Sequence, residues 1–233
     1  MSAKVTPIVA LDVNNASAAL ALMDELGDTC NFYKIGYELF TAEGPAIVRA
    51  VQNRRASVFL DLKFHDIPNT VRGAARGAAA LGVRLLTAHA SGGQAMLEAA
   101  VSGSRENGGN CQVLAVSVLT SMDAESVSAV WGRGVVDLEA EVLRLARLAA
   151  AAGAHGVVCS GREVGAVRSA FGESLVTLVP GVRLAGGDKQ DQSRVVTPRQ
   201  AAESGARYIV LGRAVTAAKS PRDALVEVLS DLP

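Results

Sequence analysis

Aromatic residues make up only 4% of the chain, one Trp, three Tyr and five Phe in 233 residues. That is too sparse for the stacking platforms that hold single-stranded nucleic acid. Net charge is missing as well: 23 Lys and Arg stand against 23 Asp and Glu, so no overall field draws in a polyanion. Nucleic-acid binding is therefore not expected. Cysteine is scarce and unpatterned. Cys30, Cys111 and Cys159 are odd in number and show no C-x-x-C or zinc spacing, which reads as buried, reduced thiols in a cytoplasmic protein. No His, Cys and carboxylate residues cluster at metal-ligand spacing, so no metal is expected. Long apolar runs are absent too. None reaches the ~18 residues needed to span a bilayer, because charges such as Arg84 and Arg147 interrupt the candidates. The opening MSAKVTPIVALDV has no apolar segment leading to a small-residue cleavage site, so neither secretion nor membrane contact is expected.

What the chain does have is 49% hydrophobic residues, ample for a large core. They fall into short apolar segments at 5–13, 32–36, from Ser57 onward, 84–90, 112–119, 156–159, 175–179 and 208–211, which read as strands. Between or after them lie helical windows at 16–26, 45–52, 70–81, 95–105, 123–130, 135–152, 162–170, 198–204 and 221–229. The window at 135–152 is strongly amphipathic through Leu138, Val142, Leu145 and Leu148. Strand and helix alternate strictly, which argues for parallel βα units. Eight such units in a chain of this length predict an α/β fold, a single-domain (β/α)8 TIM barrel over 1–233. A doubly wound open sheet is the competing architecture, but no G-x-G-x-x-G follows the first strand. The one long irregular stretch, 181–196, is polar and contains Gly186 and Gly187. It is the candidate lid.

The most informative segment is 57–70, SVFLDLKFHDIPNT. Its start is a buried strand, and alternate strand residues share a face, so Asp61 and Lys63 would project into one space. Asp66 follows at the strand exit, where Pro68 and Asn69 stop the strand. Asp-x-Lys is also an ordinary surface pair of little energetic value. Inward charges at the end of a buried strand, however, are costly unless they are used. In a barrel the active face lies at the C-terminal strand ends. Those ends carry Asp12, Lys34, Asp61 with Lys63, His89, Thr120 with Ser121, the turn from Pro180 to Arg183, and Gly212 with Arg213. Singly, Asp12 could be a helix cap and Lys34 a solvated charge. Together, alternating charges at one rim hold one another ionised. The turns after strands seven and eight occupy the usual phosphate corner of such barrels. Glycine there admits an anion to the backbone N–H, and arginine adds charged hydrogen bonds. His65 and His155 read as structural, and His89 stays outside the expected site.

The decapeptide at 61–70, DLKFHDIPNT, resembles the signature of the orotidine 5′-phosphate decarboxylase family, particularly its bacterial form. The resemblance extends over essentially the whole chain. It implies conversion of orotidine 5′-phosphate to uridine 5′-phosphate and CO2, in pyrimidine biosynthesis, without any cofactor. It maps a charged tetrad onto Lys34, Asp61, Lys63 and Asp66, and substrate contacts onto Asp12, Thr120 and Ser121. Phosphate contacts fall on Arg183, Gln192, Gly212 and Arg213, beside Pro180, with D-Q-x-R at 191–194. It further implies a homodimer in which Asp66, Ile67 and Thr70 reach the partner's site. Two rivals are weighed against it. Barrel sugar-phosphate enzymes reuse Asp-x-Lys-x-x-Asp with Mg²⁺, though the continuation Ile67-Pro68-Asn69-Thr70 favours the nucleotide enzyme. A non-catalytic nucleotide-phosphate-binding module would have little reason to keep the full lysine–aspartate set.

Overall fold

Short, nearly continuous apolar runs decide the architecture, because each strand of a parallel barrel must bury both of its faces. A computed structural model describes residues 5–183 and 196–233. It contains β1 (Thr6–Ala10), β2 (Phe32–Ile35), β3 (Ser57–Phe64), β4 (Leu85–His89), β5 (Gln112–Val116), β6 (Gly156–Val158), β7 (Val176–Val179) and β8 (Tyr208–Leu211). Each pairs with the next, β8 returns to β1 in parallel, and the barrel closes in sequence order. The expected (β/α)8 barrel is therefore the fold.

The two faces of the strands feed two cores. Outward residues such as Val9, Tyr33, Leu60, Leu86 and Ile209 pack under the helices. Inward residues Ile8, Phe32, Phe59, Leu85, Leu114, Leu178 and Tyr208 form a separate apolar plug inside the barrel. Phe32 and Tyr208 meet edge to face in that plug, ring centres 6.3 Å apart. One step further along each strand, the same inward face turns polar in the first half of the barrel: Asp12 follows Ala10, Lys34 follows Phe32, Asp61 follows Phe59 and Thr87 follows Leu85. In the second half it stays apolar, with Val116, Val158 and Val210.

Several elements depart from expectation for local reasons. The helix expected from Thr70 begins two residues earlier, as Pro68–Ala80. Proline lacks only an N–H that the first helical turn leaves unpaired anyway, so it starts this helix as well as ending the strand. The window at 135–152 is a helix only over Leu138–Ala151, because the Asp137 side chain accepts from the Glu139 and Ala140 N–H groups and sets the start. Two short helices, Tyr37–Glu43 and Arg213–Thr216, were not expected. The stretch proposed as a lid lies mostly outside the described residues, and so does Gln192. Among the described residues no helix is long and apolar enough to cross a membrane.

Candidate active site

At the C-terminal mouth, directly above the apolar plug, lies a cavity of about 310 Å³. Its floor is Phe59, Val116, Val158, Leu178 and Val210. One wall, from β1 to β3, carries Asp12, Lys34, Asp61 and Lys63, and the facing side carries Leu119, Thr120, Ser121, Pro180, Arg183, Gly212 and Arg213. A larger groove of about 880 Å³ opens elsewhere, beside Arg84, Arg105 and His155 at the strand starts. It is remote from the ionic lattice, and its size alone gives it no chemistry.

The charges on the first wall form a chain. The Lys34 ammonium donates to Asp12 Oδ1 at 2.7 Å and lies 4.0 Å from Asp61 Oδ2. That same oxygen accepts from Lys63 Nζ at 2.8 Å. The Lys34 and Asp61 side chains are nearly out of water, at 11% and 13% exposure, and Lys63 is partly open at 27%. Attraction is therefore screened little and acts between fixed partners. Gly36 helps to keep Lys34 there: a Cβ at that position would sit 2.9 Å from Nζ and 3.5 Å from Asp12 Oδ1. Sequence reasoning missed this glycine, whose only signal is its place two residues after Lys34.

The route by which Asp61 and Lys63 meet is not plain strand alternation. The β3–β4 register shifts between Leu60 and Phe64, so that Asp61, Leu62 and Lys63 stand opposite the single residue Thr87. Lys63 takes a left-handed backbone, φ 42°, uncommon for a residue with a side chain. Its N–H donates to Thr87 Oγ1 at 2.9 Å, and the Thr87 hydroxyl donates to Asp61 Oδ1 at 2.9 Å. Behind this bulge the His65 and His89 rings lie 5.3 Å apart. Burial pushes the His89 imidazole below its usual range, as do His65 and Lys63, with Asp61 opposing. A neutral imidazole behind Lys63 spares the ammonium a like charge.

Lys34, Asp61, Lys63, Asp12, Thr120, Ser121, Pro180, Arg183, Gly212 and Arg213 thus line one cavity. Asp66, Ile67 and Thr70 do not. Asp66 accepts from the Ile67 N–H at 2.6 Å, and Asp66 and Thr70 border a shallower depression with Tyr37, Phe40, Phe64 and His65. Tyr37 is 55% exposed there, and Ile67, beside the depression and outside its lining, is 67% exposed. Among the described residues no three His, Cys, Asp or Glu side chains are grouped to hold a metal ion.

Fold and site together define a (β/α)8 barrel with an ionic lysine–aspartate lattice at its C-terminal mouth. The chain belongs to the orotidine 5′-phosphate decarboxylase / HUMPS family, whose model matches residues 6–228. It is 49% identical over 226 residues to the orotidine 5′-phosphate decarboxylase of Moorella thermoacetica, covering 95% of this chain and 89% of that one. With the protein of the same name from Anaeromyxobacter sp. (strain K) the identity is 51% over 223 residues, 96% of each chain. Among solved structures, the orotidine 5′-phosphate decarboxylase of Lactobacillus acidophilus superposes with a TM-score of 0.83 at 33% identity, covering 98% of both chains. A Geobacillus kaustophilus structure described as an uncharacterized conserved protein gives 0.83 at 35% identity, over 97% of this chain and 99% of that one.

Proposed function

We propose that this chain, a single catalytic domain in the cytoplasm, decarboxylates orotidine 5′-phosphate to uridine 5′-phosphate in pyrimidine biosynthesis. The observation that carries the reading is Lys63 Nζ, held 2.8 Å from a largely buried Asp61 carboxylate inside the cavity. Loss of CO2 breaks the bond between the carboxylate and the ring carbon and leaves the electron pair on that carbon, with no conjugated sink. A fixed ammonium stabilises that charge as it develops. Lys63 then transfers a proton to the carbon, so the ring gains one hydrogen as it loses CO2. Asp61 holds the ammonium in place, and Lys34 with Asp12 completes the lattice beside the ribose hydroxyls.

One charged hydrogen bond contributes about 1.5–3 kcal/mol, whereas enzymes commonly lower barriers by about 8–23 kcal/mol. Remote binding must therefore contribute to the chemical step. Arg183, Gln192, Gly212 and Arg213 supply it by gripping the phosphate, with Pro180 shaping the turn, while Thr120 and Ser121 face the base. The reading needs no cofactor or metal. Both Asp61 oxygens already have partners, Thr87 on one and Lys63 on the other. Those two bonds aim the carboxylate at Lys63, which is the arrangement this reading uses.

The depression bordered by Asp66 and Thr70, with Ile67 beside it, is read as the contact with a second copy, whose cavity these residues complete as Asp66 joins the partner's Lys63. Their position outside their own cavity and the exposed Tyr37 and Ile67 support this. Two measurements test the reading. Purified protein is expected to consume orotidine 5′-phosphate equally well with and without chelator, and no consumption would refute it. Lys63→Ala and Asp66→Ala chains are expected to be inactive apart and active when mixed, since one site of the mixed dimer is intact. A mixture that stays dead would refute the shared site.

A further inference from the structure

We infer that Thr87 is a positioning residue for this reaction, its hydroxyl fastening both ends of the bulge that carries Asp61 and Lys63. The inference rests on the decarboxylase reading and extends it to a residue that contacts neither substrate nor solvent. Thr87 is fully buried, 0% exposed, between apolar neighbours in the strand L-L-T-A-H. A lone hydroxyl in such a strand needs partners. Here it finds two, accepting from the Lys63 N–H and donating to Asp61 Oδ1, each at 2.9 Å.

The geometry gives that arrangement a consequence. Three residues of β3 stand opposite one residue of β4, so no regular ladder of backbone hydrogen bonds fixes Asp61, Leu62 and Lys63. A left-handed Lys63 persists only where its surroundings over-determine it. Leu62 is pinned on the outer side, against the core under the helices. On the inner side the pin is the Thr87 hydroxyl. It also has a direction: because its single proton goes to Asp61 Oδ1, Oδ2 is left to face Lys63 Nζ at 2.8 Å and Lys34 Nζ at 4.0 Å. One hydroxyl thereby sets the backbone of the proton donor and the orientation of the carboxylate that aims it. Valine would match the shape and lose both bonds, whereas serine would keep both and lose only a methyl group.

The test compares Thr87→Val with Thr87→Ser in the full-length protein, reading kcat and KM for orotidine 5′-phosphate, Kd for uridine 5′-phosphate, and thermal stability. Misplacement of a reacting group by about 1 Å costs on the order of 10²-fold. Thr87→Val is expected to lower kcat by about that factor with KM and Kd within about threefold. Thr87→Ser is expected to return kcat to within about fivefold of the parent. If valine does not fold, Thr87→Ala against Thr87→Ser reads the same hydroxyl. A merely structural role would lower stability and leave kcat per folded site unchanged, and that result overturns the inference. So does equal impairment of the valine and serine variants, or a rise in KM with kcat intact. An inactive parent protein is a different outcome, since it refutes the decarboxylase reading and takes the inference with it.

Discussion

The two halves of the cavity are built from the same strand pattern and filled with opposite chemistry. From β1 to β4 the last inward positions are Asp12, Lys34, Asp61 and Thr87, while β5, β6 and β8 present Val116, Val158 and Val210. The first half is a bonded network in which each charge is held by a neighbour. The second is hydrocarbon up to the rim, where Pro180, Arg183, Gly212 and Arg213 take over. The difference teaches a division of labour: the charged groups are tied across strands, and the groups proposed to grip the phosphate ride on turns beyond the strands. What orders the first half is the bonding between its own side chains, Lys34 to Asp12, Lys63 to Asp61 and Thr87 to Asp61.

That comparison can be broken most sharply at Lys63. Lys63→Ala is expected to lower kcat by at least about 10⁴-fold, since proton delivery and charge stabilisation are lost together. Affinity for uridine 5′-phosphate should change by less than about tenfold, read by titration calorimetry. Equal loss of both would show the first half to be a binding wall. Next comes Arg213 on the other half. Arg213→Ala should lower kcat/KM by about 10²-fold or more while the pH profile of kcat keeps its shape, and an unchanged kcat/KM would remove the grip from this half.

A third variant sharpens the comparison by touching neither half. Leu114 is fully buried in the plug beneath the cavity. Leu114→Ala should cost about 2–5 kcal/mol of stability, measured by denaturant unfolding, with kcat per folded molecule close to the parent's. The smallest effect is expected from acid. Burial, with Arg207 and Arg84 nearby, holds the His155 imidazole below the ordinary 6.5. The unfolded chain therefore takes up a proton that the folded chain refuses, and the stability present above pH 6.5 declines as pH falls below it. His155→Gln should flatten that decline, compared by melting temperature at pH 7.5 and pH 5.5, without altering turnover. A steeper decline in the variant would reverse the assignment.

Much of this was legible in the sequence, and what escaped did so for physical reasons. Eight apolar segments alternating with helical windows sufficed for the barrel, because parallel strands buried on both faces leave continuous hydrophobic runs. The rim residues followed from the strand ends. Helix Tyr37–Glu43 and the single turn Arg213–Thr216 escaped, since such short segments form from tertiary support rather than periodicity. Thr87 escaped because its importance lies in the β3–β4 register, and one hydroxyl among apolar residues reads as a tolerated core threonine. Local pattern placed Asp66 at the strand exit, whereas its role and the choice of Ile67 and Thr70 came from the family resemblance. The contact with a second copy proposed for them would leave no mark within their own segment.

The apolar plug has a consequence for traffic. With Phe32 and Tyr208 interlocked and Leu85, Leu114 and Leu178 filling the space around them, the described residues leave no back door through the barrel. On the proposed reading, nucleotide and released CO2 would therefore pass through the same mouth, above Phe59, Val116, Val158, Leu178 and Val210.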